Sequence, residues 1–218
     1  MTRHEIHQAI VTLRREVRRW RVPVVGVIAN QTRDPFQILV SCLLSLRTKD
    51  ATTASASMRL FALATTPQAL VALPVAAIER AIYPVGFYRT KARRLNALCR
   101  DLLARHGGRV PDELDTLLEL PGVGRKTANL VVTLGFGKPG ICVDTHVHRI
   151  TNRWGYVRTG SPDATEAALR RKLPPEYWIE LNDLLVPYGQ HLCAPVSPFC
   201  SQCDVRAWCR RVGVTRSR

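Results

Sequence analysis

Three groups of residues in this 218-residue sequence are of types that perform chemistry in proteins. Lys126 stands just inside the apolar helical pattern RKTANLVV, and Asp144 follows eighteen residues later at the start of DTHVHRI. The third group is a set of four cysteines near the C-terminus, Cys193, Cys200, Cys203 and Cys209. An amine can act as a nucleophile, a carboxylate can stabilise a cation or accept a proton, and thiolates bind metals. Taken singly, such a lysine is commonly a surface side chain, and such an aspartate is commonly a helix N-cap.

A glycine-rich turn, LPGVG, comes directly before this lysine. Gly122 and Gly124 permit backbone conformations or close approaches that a side chain would prevent. We predict a tight turn between two helices, with unpaired amides at the start of the second helix that belong to Val123, Gly124 and Arg125. Such amides, together with the helix dipole, bind anions, and a DNA phosphate is one such anion. A Gly-Val-Gly turn alone is a weak indication, since glycine joins many helix pairs.

The four C-terminal cysteines have the spacing C-x6-C-x2-C-x5-C, which lets four thiolates close around one metal centre. Zinc is the main rival to an iron–sulfur cluster, although four-cysteine zinc sites usually show two tight C-x-x-C pairs and this segment has one. A disulfide is the least expected arrangement in a reducing compartment. The remaining cysteines, Cys42, Cys99 and Cys142, lie in apolar stretches and are expected to be buried thiols.

Helical patterns account for nearly all of the chain, so we predict an all-α fold of about ten helices. Ser161 followed by Pro162 has the form of an N-cap with proline at the first helical position. The segment DPFQILVSCLLSL, residues 34–46, is apolar on nearly all sides, which is typical of a buried central helix. A C-cap is expected at Gly107. The run VPVVGVIA, residues 22–29, is the only strand-like segment.

The net charge is +15, from 32 Lys and Arg against 17 Asp and Glu. Basic residues recur in clusters, at 14–21, 89–94, 170–172 and 206–218, and a polyanion is the expected partner of such a surface. We favour nucleic acid over an anionic membrane, because no cluster lies on a strongly amphipathic helix with Trp or Phe opposite. A solvated basic surface stays the alternative for any one cluster. The sequence has neither an apolar run of about 18 residues nor a secretory signal pattern, so we expect a soluble intracellular protein without a membrane partner.

Lys126 and Asp144, in this order and at this spacing behind the LPGVG turn, resemble the endonuclease III family of helix-hairpin-helix DNA glycosylases. The resemblance extends from Asp34 to Cys209, and the four cysteines match the 4Fe–4S loop of that family in every spacing. It implies that Lys126 is the nucleophile, that Asp144 is the catalytic carboxylate and that the four cysteines bind a 4Fe–4S cluster. Relatives that remove a base without cutting the strand lack a lysine at this position, so AP-lyase activity is also implied.

The same resemblance implies two helical lobes with DNA in the cleft between them. One is expected to be a six-helix lobe over residues 28–138, with the helix-hairpin-helix at about 114–132. The other combines residues 1–27 with 139–218 and carries the cluster loop, 193–209. The lysine and the aspartate would then come from opposite lobes and meet at the mouth of the cleft.

Members of this family insert two residues into the duplex to fill the gap left by the extruded nucleotide. The corresponding positions are Arg47 in SLRTKD and Phe87 in VGFYRTKA. A phosphate contact is the alternative for Arg47, and packing in the core is the alternative for Phe87. His146 is expected to line the pocket near the phosphate. Arg149 is expected to contact a phosphate, with an internal salt bridge as the alternative.

We therefore interpret the sequence as a base-excision repair DNA glycosylase with AP-lyase activity that acts on oxidised or ring-saturated pyrimidines in double-stranded DNA. Uracil or thymine in mismatches is the nearest alternative substrate. A non-catalytic DNA-structure binding protein is the alternative from another class, and the pair of Lys126 and Asp144 argues against it. A redox-sensing iron–sulfur regulator is a further alternative, for which no helix-turn-helix reader is seen. We expect a cytoplasmic, nucleoid-associated monomer that binds duplexes with damaged bases or abasic sites.

Overall fold

The computed structural model describes residues 1–20 and 24–218, and it divides into two compact units. One unit is Val24–Lys138, and the other combines Met1–Pro23 with Pro139–Arg218. Every regular element in the described residues is a helix, so the all-α prediction is confirmed. The assignment of two functional lobes, with boundaries at residues 28 and 138, stays a prediction.

The described residues form twelve α-helices in addition to four short 3-10 helices. The α-helices are α1 (Arg3–Glu16), α2 (Val24–Thr32), α3 (Pro35–Ser45), α4 (Asp50–Phe61), α5 (Pro67–Ala72), α6 (Val75–Ile82), α7 (Tyr88–His106), α8 (Leu114–Leu118), α9 (Arg125–Phe136), α10 (Thr145–Arg153), α11 (Pro162–Lys172) and α12 (Glu180–His191). Eight of them, α2 to α9, lie in the unit Val24–Lys138, two more than the six that the resemblance implies for residues 28–138. Two of the eight are short: α5 has six residues and α8 has five. None of the helices described is long and apolar enough to cross a membrane.

The central helix of the unit Val24–Lys138 is α3, as the sequence predicts. It begins at Pro35 behind Asp34, whose carboxylate accepts a hydrogen bond from the amide of Phe36 at 2.8 Å. All residues from Ile38 to Leu44 are buried, and α2, α4, α7 and α9 pack around them. A helix that is apolar on every side is stable only when neighbours cover every side, so these four helices are arranged around α3.

Two helix ends follow the predicted caps. At the start of α11 the Ser161 hydroxyl accepts a hydrogen bond from the amide of Ala164 at 3.2 Å, and Pro162 is the first helical residue. The other is the end of α7, where Gly107 adopts a left-handed conformation with φ of +58°. Both signals act within one helical turn, which is why the local sequence is sufficient to predict them.

The strand-like run at residues 22–29 is helical from Val24 onwards, in agreement with the all-α prediction; the first two residues of the run lie outside the described residues. A strand would place Val25, Val27 and Ala29 on one face. In the structure Val25 and Ala29 are buried whereas Val27 is exposed, and the buried side packs on α3 and α4. This packing overrides the preference of the valines for strands.

The second unit is built on a core that includes the fully buried side chains of Trp154 and Tyr188. Within this unit α12 packs against both α10 and α1, and α11 packs against α10. The segment that follows α12 packs on the same core through Phe199 and Trp208. The cysteine-rich segment is therefore part of this unit and not a separate tail.

We predict that the stability of the protein depends on the ionisation of Asp183 in α12. Burial, and secondarily the negative charge of Glu180, raises the pKa of Asp183 from 3.8 to about 6. The folded state thus favours the neutral carboxyl, and it loses stability as the pH rises from about 4 through about 6. The Asp183→Asn variant should gain up to roughly 3 kcal/mol in the free energy of unfolding at about pH 7.5 and only about 1 kcal/mol at about pH 4.5, measured by urea denaturation.

The exposed Asp163 in the first turn of α11 provides the matched control. Asp163→Asn should change the free energy of unfolding by less than about 0.5 kcal/mol at either pH. A gain for Asp183→Asn of equal size at both pH values would contradict the assignment.

Candidate active site

The turn between α8 and α9 is tight and glycine-rich, as predicted. Gly122 has a φ of +80°, a left-handed conformation in which other residues are strained. Gly124 is the N-cap of α9, and a Cβ there would meet only open space, so the fold does not itself require this glycine. The amide of Val123 donates to the carbonyl of Leu120 at 3.1 Å and closes the turn, so the prediction that this amide is unpaired is wrong. The first α-helical bond of α9 is donated by the Ala128 amide, so the preceding amides of the helix do not enter its hydrogen-bond ladder.

Lys126 is the second residue of α9, after Arg125, and both are partly buried. The helix packs against α3 through a buried face formed by residues 127–133. The positive charge of Lys126 acts on the thiol of Cys42 in α3 and favours its ionisation, but burial dominates and raises the pKa of Cys42 to about 12. The thiol therefore stays protonated, and the amine lies at the edge of an apolar helix interface.

Asp144 is the N-cap of α10 and is partly buried. Its Oδ1 accepts hydrogen bonds from the amides of His146 and Val147, both at 2.9 Å. Because both cap bonds end on Oδ1, the cap does not use Oδ2. The carboxylate is thus held in one orientation by the helix that it caps.

The side chains of Arg47 and Phe87 lie next to each other on the surface of the unit Val24–Lys138. Arg47 lies in the turn between α3 and α4, and Phe87 immediately precedes α7. The guanidinium carbon of Arg47 is 5.8 Å from the centre of the Phe87 ring. Arg47 is exposed, 64% of Phe87 is exposed, and both residues have positive φ, +53° and +59°. The alternative that Phe87 packs in the core is therefore wrong, and the two predicted insertion residues are brought together.

Arg149 in α10 is held inside its unit by backbone carbonyls. Its guanidinium donates to the carbonyl of Gly189 at 3.1 Å and to that of Cys193 at 2.9 Å, at the C-terminal end of α12. These partners are carbonyls and not the carboxylate of the alternative prediction, an internal salt bridge, because helix-end carbonyls that lack partners attract a cation. The phosphate contact of Arg149 stays a prediction. His146 Nδ1 lies 3.1 Å from the same guanidinium, and a Cβ at Gly189 would collide with the imidazole.

The four C-terminal cysteines line one pocket in the second unit. The apolar walls of this pocket come from Trp154, Leu192, Pro198, Phe199 and Val214. All four thiols are partly buried, and none of the seven cysteines forms a disulfide. Within the described part of the chain, no three His, Cys, Asp or Glu side chains are grouped as ligands of a single metal ion.

Hydrogen-bond donors reach three of these four sulfur atoms. The guanidinium of Arg153 is 3.4 Å from Sγ of Cys193. The hydroxyl of Tyr188 is 2.7 Å from Sγ of Cys203. The third donor is a backbone amide, that of Arg211, at 3.4 Å from Sγ of Cys209. Donors of this kind stabilise thiolates, and with the apolar walls they form the surroundings that a cluster of iron and sulfur requires.

Comparison with known proteins places this geometry in a family. Residues 40–175 match the HhH-GPD superfamily, described as base excision DNA repair proteins. The chain is 47% identical over 180 residues to Endonuclease III of Thermotoga maritima, and the match covers 83% of this chain and 84% of that protein. The chain belongs to the endonuclease III family. Its fold is similar to the structure of a trapped Endonuclease III–DNA covalent intermediate, with a TM-score of 0.86 and 34% identity over 97% of each chain.

Some endonuclease III relatives are longer than this chain. It is 42% identical over 193 residues to the chloroplastic Endonuclease III homolog 1 of Arabidopsis thaliana, and the match covers 84% of this chain. It spans about half of that protein, 51% of its length.

Sequence reasoning missed two side chains that support the candidate site of this endonuclease III family member. Arg153 at the end of α10 donates to the carbonyls of Ala194 and Pro195, each at 2.6 Å, but these partners are some forty residues away and leave no local signal. Lys91 lies on the buried face of α7 and is only 9% exposed. Its position four residues before Leu95, on an apolar helix face, is a signal that the sequence does carry.

We predict that the cap function of Asp144 is separable from any function of its charge. Asp144→Asn keeps an oxygen acceptor for the amides of α10, so the free energy of unfolding should change by less than about 0.5 kcal/mol. Asp144→Ala should lower it by about 1 kcal/mol, measured by urea denaturation. Ser161→Ala at the cap of α11 should show a loss of similar size. Equal losses for Asp144→Asn and Asp144→Ala would contradict the prediction.

Proposed function

We propose that this member of the endonuclease III family is a base-excision repair DNA glycosylase with AP-lyase activity, which removes oxidised or ring-saturated pyrimidines from double-stranded DNA. The observation that carries the proposal is the position of Lys126, an amine at the start of α9 beside a turn that Gly122 and Gly124 leave without side chains. The similarity to an Endonuclease III trapped covalently on DNA supports a covalent mechanism.

In the proposed reaction the neutral amine of Lys126 attacks C1′ of the damaged nucleotide. The Nζ–C1′ bond forms while the bond between C1′ and the base breaks, and the base leaves with the electron pair and takes up a proton. Opening of the sugar ring gives an imine, which acidifies the hydrogens on C2′. Loss of one C2′ proton expels the 3′-phosphate and cuts the strand, and water then hydrolyses the imine and returns the amine to Lys126.

Asp144 is the carboxylate that we assign to this reaction. Its orientation is held by two amides of α10 through Oδ1, and Oδ2 takes no part in the cap. A carboxylate held in this way stabilises the cationic sugar that develops as the base leaves, or accepts the proton of the lysine. Neither role requires the helix cap to be broken.

We assign three further groups to DNA binding. The backbone at Gly122, Gly124 and Arg125 contacts a phosphate at the start of α9. Arg47 and Phe87, both exposed, enter the duplex where the damaged nucleotide has left the stack. His146 contacts the substrate near Asp144. The net charge of +15 favours binding to DNA. We propose that the protein acts as a monomer in the cytoplasm on the DNA of the nucleoid.

Lys126→Ala should abolish formation of the covalent intermediate. Borohydride reduces an imine to a stable amine, so the wild type should form a protein–DNA adduct on an abasic duplex and Lys126→Ala should form none. Incision should fall by roughly a thousandfold or more, and Asp144→Asn should also slow it. Lys138→Ala serves as the matched control, because that lysine is ion-paired with Asp112 on the surface and should incise at the wild-type rate. Undiminished incision by Lys126→Ala would overturn the proposed function.

The same assay identifies the substrate class. Duplexes that each carry one lesion are incubated with the wild type and with Lys126→Ala, and base release and strand cutting are measured separately. A ring-saturated thymine and an oxidised cytosine should be released and the strand cut, whereas uracil or thymine opposite guanine should react more slowly. Preferred release of uracil or mismatched thymine would support the alternative substrate class.

We propose that Cys193, Cys200, Cys203 and Cys209 bind a 4Fe–4S cluster. The residues fit this group, because four thiols line one pocket, the walls are apolar and donors reach three of the sulfurs. When bound, the cluster supplies a cross-link and local charge. The chain itself positions the exposed basic side chains Arg206, Arg210 and Arg211 on the same segment, where they can contact phosphate.

Purified protein should contain about four iron and four sulfide per chain and absorb broadly in the visible range. Cys203→Ser should lose the iron and the colour. Cys99→Ser, which alters a buried thiol of the other unit, should keep both. A colourless wild-type protein with stoichiometric zinc would contradict the cluster.

A further inference from the structure

Two surface turns of the unit Val24–Lys138 carry the residues that we propose to enter DNA. The Arg47 turn, residues 46–49, joins α3 to α4, and the Phe87 turn, residues 83–87, joins α6 to α7. The two side chains meet at 5.8 Å, but a contact between an exposed cation and an exposed ring is weak. Something else must hold the two turns together if both side chains are to meet the duplex in a fixed geometry.

The ammonium group of Lys91 binds the Arg47 turn from the buried side of the turn. Its Nζ donates to the carbonyls of Leu44 and Leu46 at 2.8 and 2.6 Å, and it lies 3.3 Å from Oγ1 of Thr48. Lys91 belongs to α7, the helix that starts directly after Phe87. The helix that follows one turn is therefore bonded to the other turn.

The hydroxyl of Thr48 completes the connection between the turns. Its Oγ1 accepts a hydrogen bond from the amide of Gly86 at 3.2 Å, and it donates to the carbonyl of Leu46 at 3.2 Å. Gly86 allows the turns to touch, because a Cβ there would lie 2.6 Å from the carbonyl oxygen of Arg47. Three groups thus bond to Oγ1 of Thr48: the amide of Gly86, the ammonium of Lys91 and the carbonyl of Leu46.

The cost of burying Lys91 indicates that this network is not incidental. Its three polar partners in the structure are neutral oxygens and none is a carboxylate. A buried charge without a counter-ion is expensive, and burial lowers the pKa of Lys91 to about 8. A purely structural position would be filled at lower cost by an apolar residue.

We propose that Lys91 and Thr48 are positioning residues that join the Arg47 turn and the Phe87 turn into one rigid two-pronged wedge, so that both side chains enter the duplex together. The proposal rests on the proposed function, in which these two side chains fill the gap left by an extruded nucleotide. Neither Lys91 nor Thr48 is assigned a part in the chemistry of Lys126.

The test compares two substrates that differ in whether a base must leave the stack. On a lesion-containing duplex, single-turnover incision depends on extrusion of the nucleotide; on a single-stranded abasic oligonucleotide it does not. The duplex also carries 2-aminopurine opposite the lesion, whose fluorescence reports loss of stacking. Thr48→Val, which removes the hydroxyl at nearly constant shape, should slow duplex incision and the fluorescence change by about tenfold and leave the single-stranded reaction within about twofold.

Conservative and matched variants separate positioning from stability. Thr48→Ser keeps the hydroxyl and should restore the wild-type rate on duplex. Thr151→Val removes a buried hydroxyl that bonds within its own helix α10, far from both turns in the chain, and it should leave the ratio of the two rates unchanged. Lys91→Met, compared with Lys138→Met, and Gly86→Ala should reproduce the selective loss of Thr48→Val. Thermal unfolding of each variant is measured alongside.

Coupling between the prongs gives a second, independent readout. If the turns act as one wedge, Phe87→Ala should slow duplex incision by a smaller factor in the Thr48→Val background than in the wild type. Additive effects, or equal losses on both substrates for Thr48→Val and Gly86→Ala, would overturn the proposal while the function stands. Duplex rates unchanged by both Arg47→Ala and Phe87→Ala would overturn the insertion role itself, and failure of Lys126→Ala to lose the borohydride adduct would overturn the proposed chemistry.

Discussion

The packing of α9 against α3 is the constraint on which the unit Val24–Lys138 depends. Because residues 127–133 are buried, their polar side chains must find hydrogen-bond partners nearby. The side-chain amide of Asn129 and the hydroxyl of Thr133 donate to carbonyls of α9 itself, at 3.1 and 2.9 Å. Close approach is possible because residue 135 is glycine; a Cβ there would lie 3.3 Å from Cβ of Pro35. The helix start that carries Lys126 is thus located by the apolar packing behind it.

The sequence predicts those features whose cause lies within a few residues. The buried α3, the cap by Ser161 and the C-cap at Gly107 follow from local patterns, and the cysteine segment is recognised by spacing alone. The helix at Val24 was not predictable, because tertiary packing decides between helix and strand for a short run of valines. The internal partners of Arg149 were hidden for a related reason, since they lie forty or more residues away at the end of another helix.

Several basic residues of this chain donate hydrogen bonds to backbone carbonyls of their own unit. Arg59 donates to the carbonyls of Ala81 and Tyr83 at the end of α6, Arg153 to those after Cys193, and Lys91 to those after α3. The final carbonyls of a helix lack intrahelical partners, and one cation with several donors satisfies two or three of them at once. Cations therefore shape the turns of this protein, in addition to any contact that they make with DNA.

Because some cations bond to the protein itself, the net charge is a poor measure of how strongly salt weakens DNA binding. When a protein binds a duplex, ions condensed on the phosphates are released in proportion to the phosphates that it neutralises. Arg153 and Lys91 direct their donors to carbonyls of their own units, so we expect them to contribute to the net charge but not to that count. We therefore expect the affinity of this protein for DNA to be less sensitive to ionic strength than its surplus of fifteen positive charges suggests.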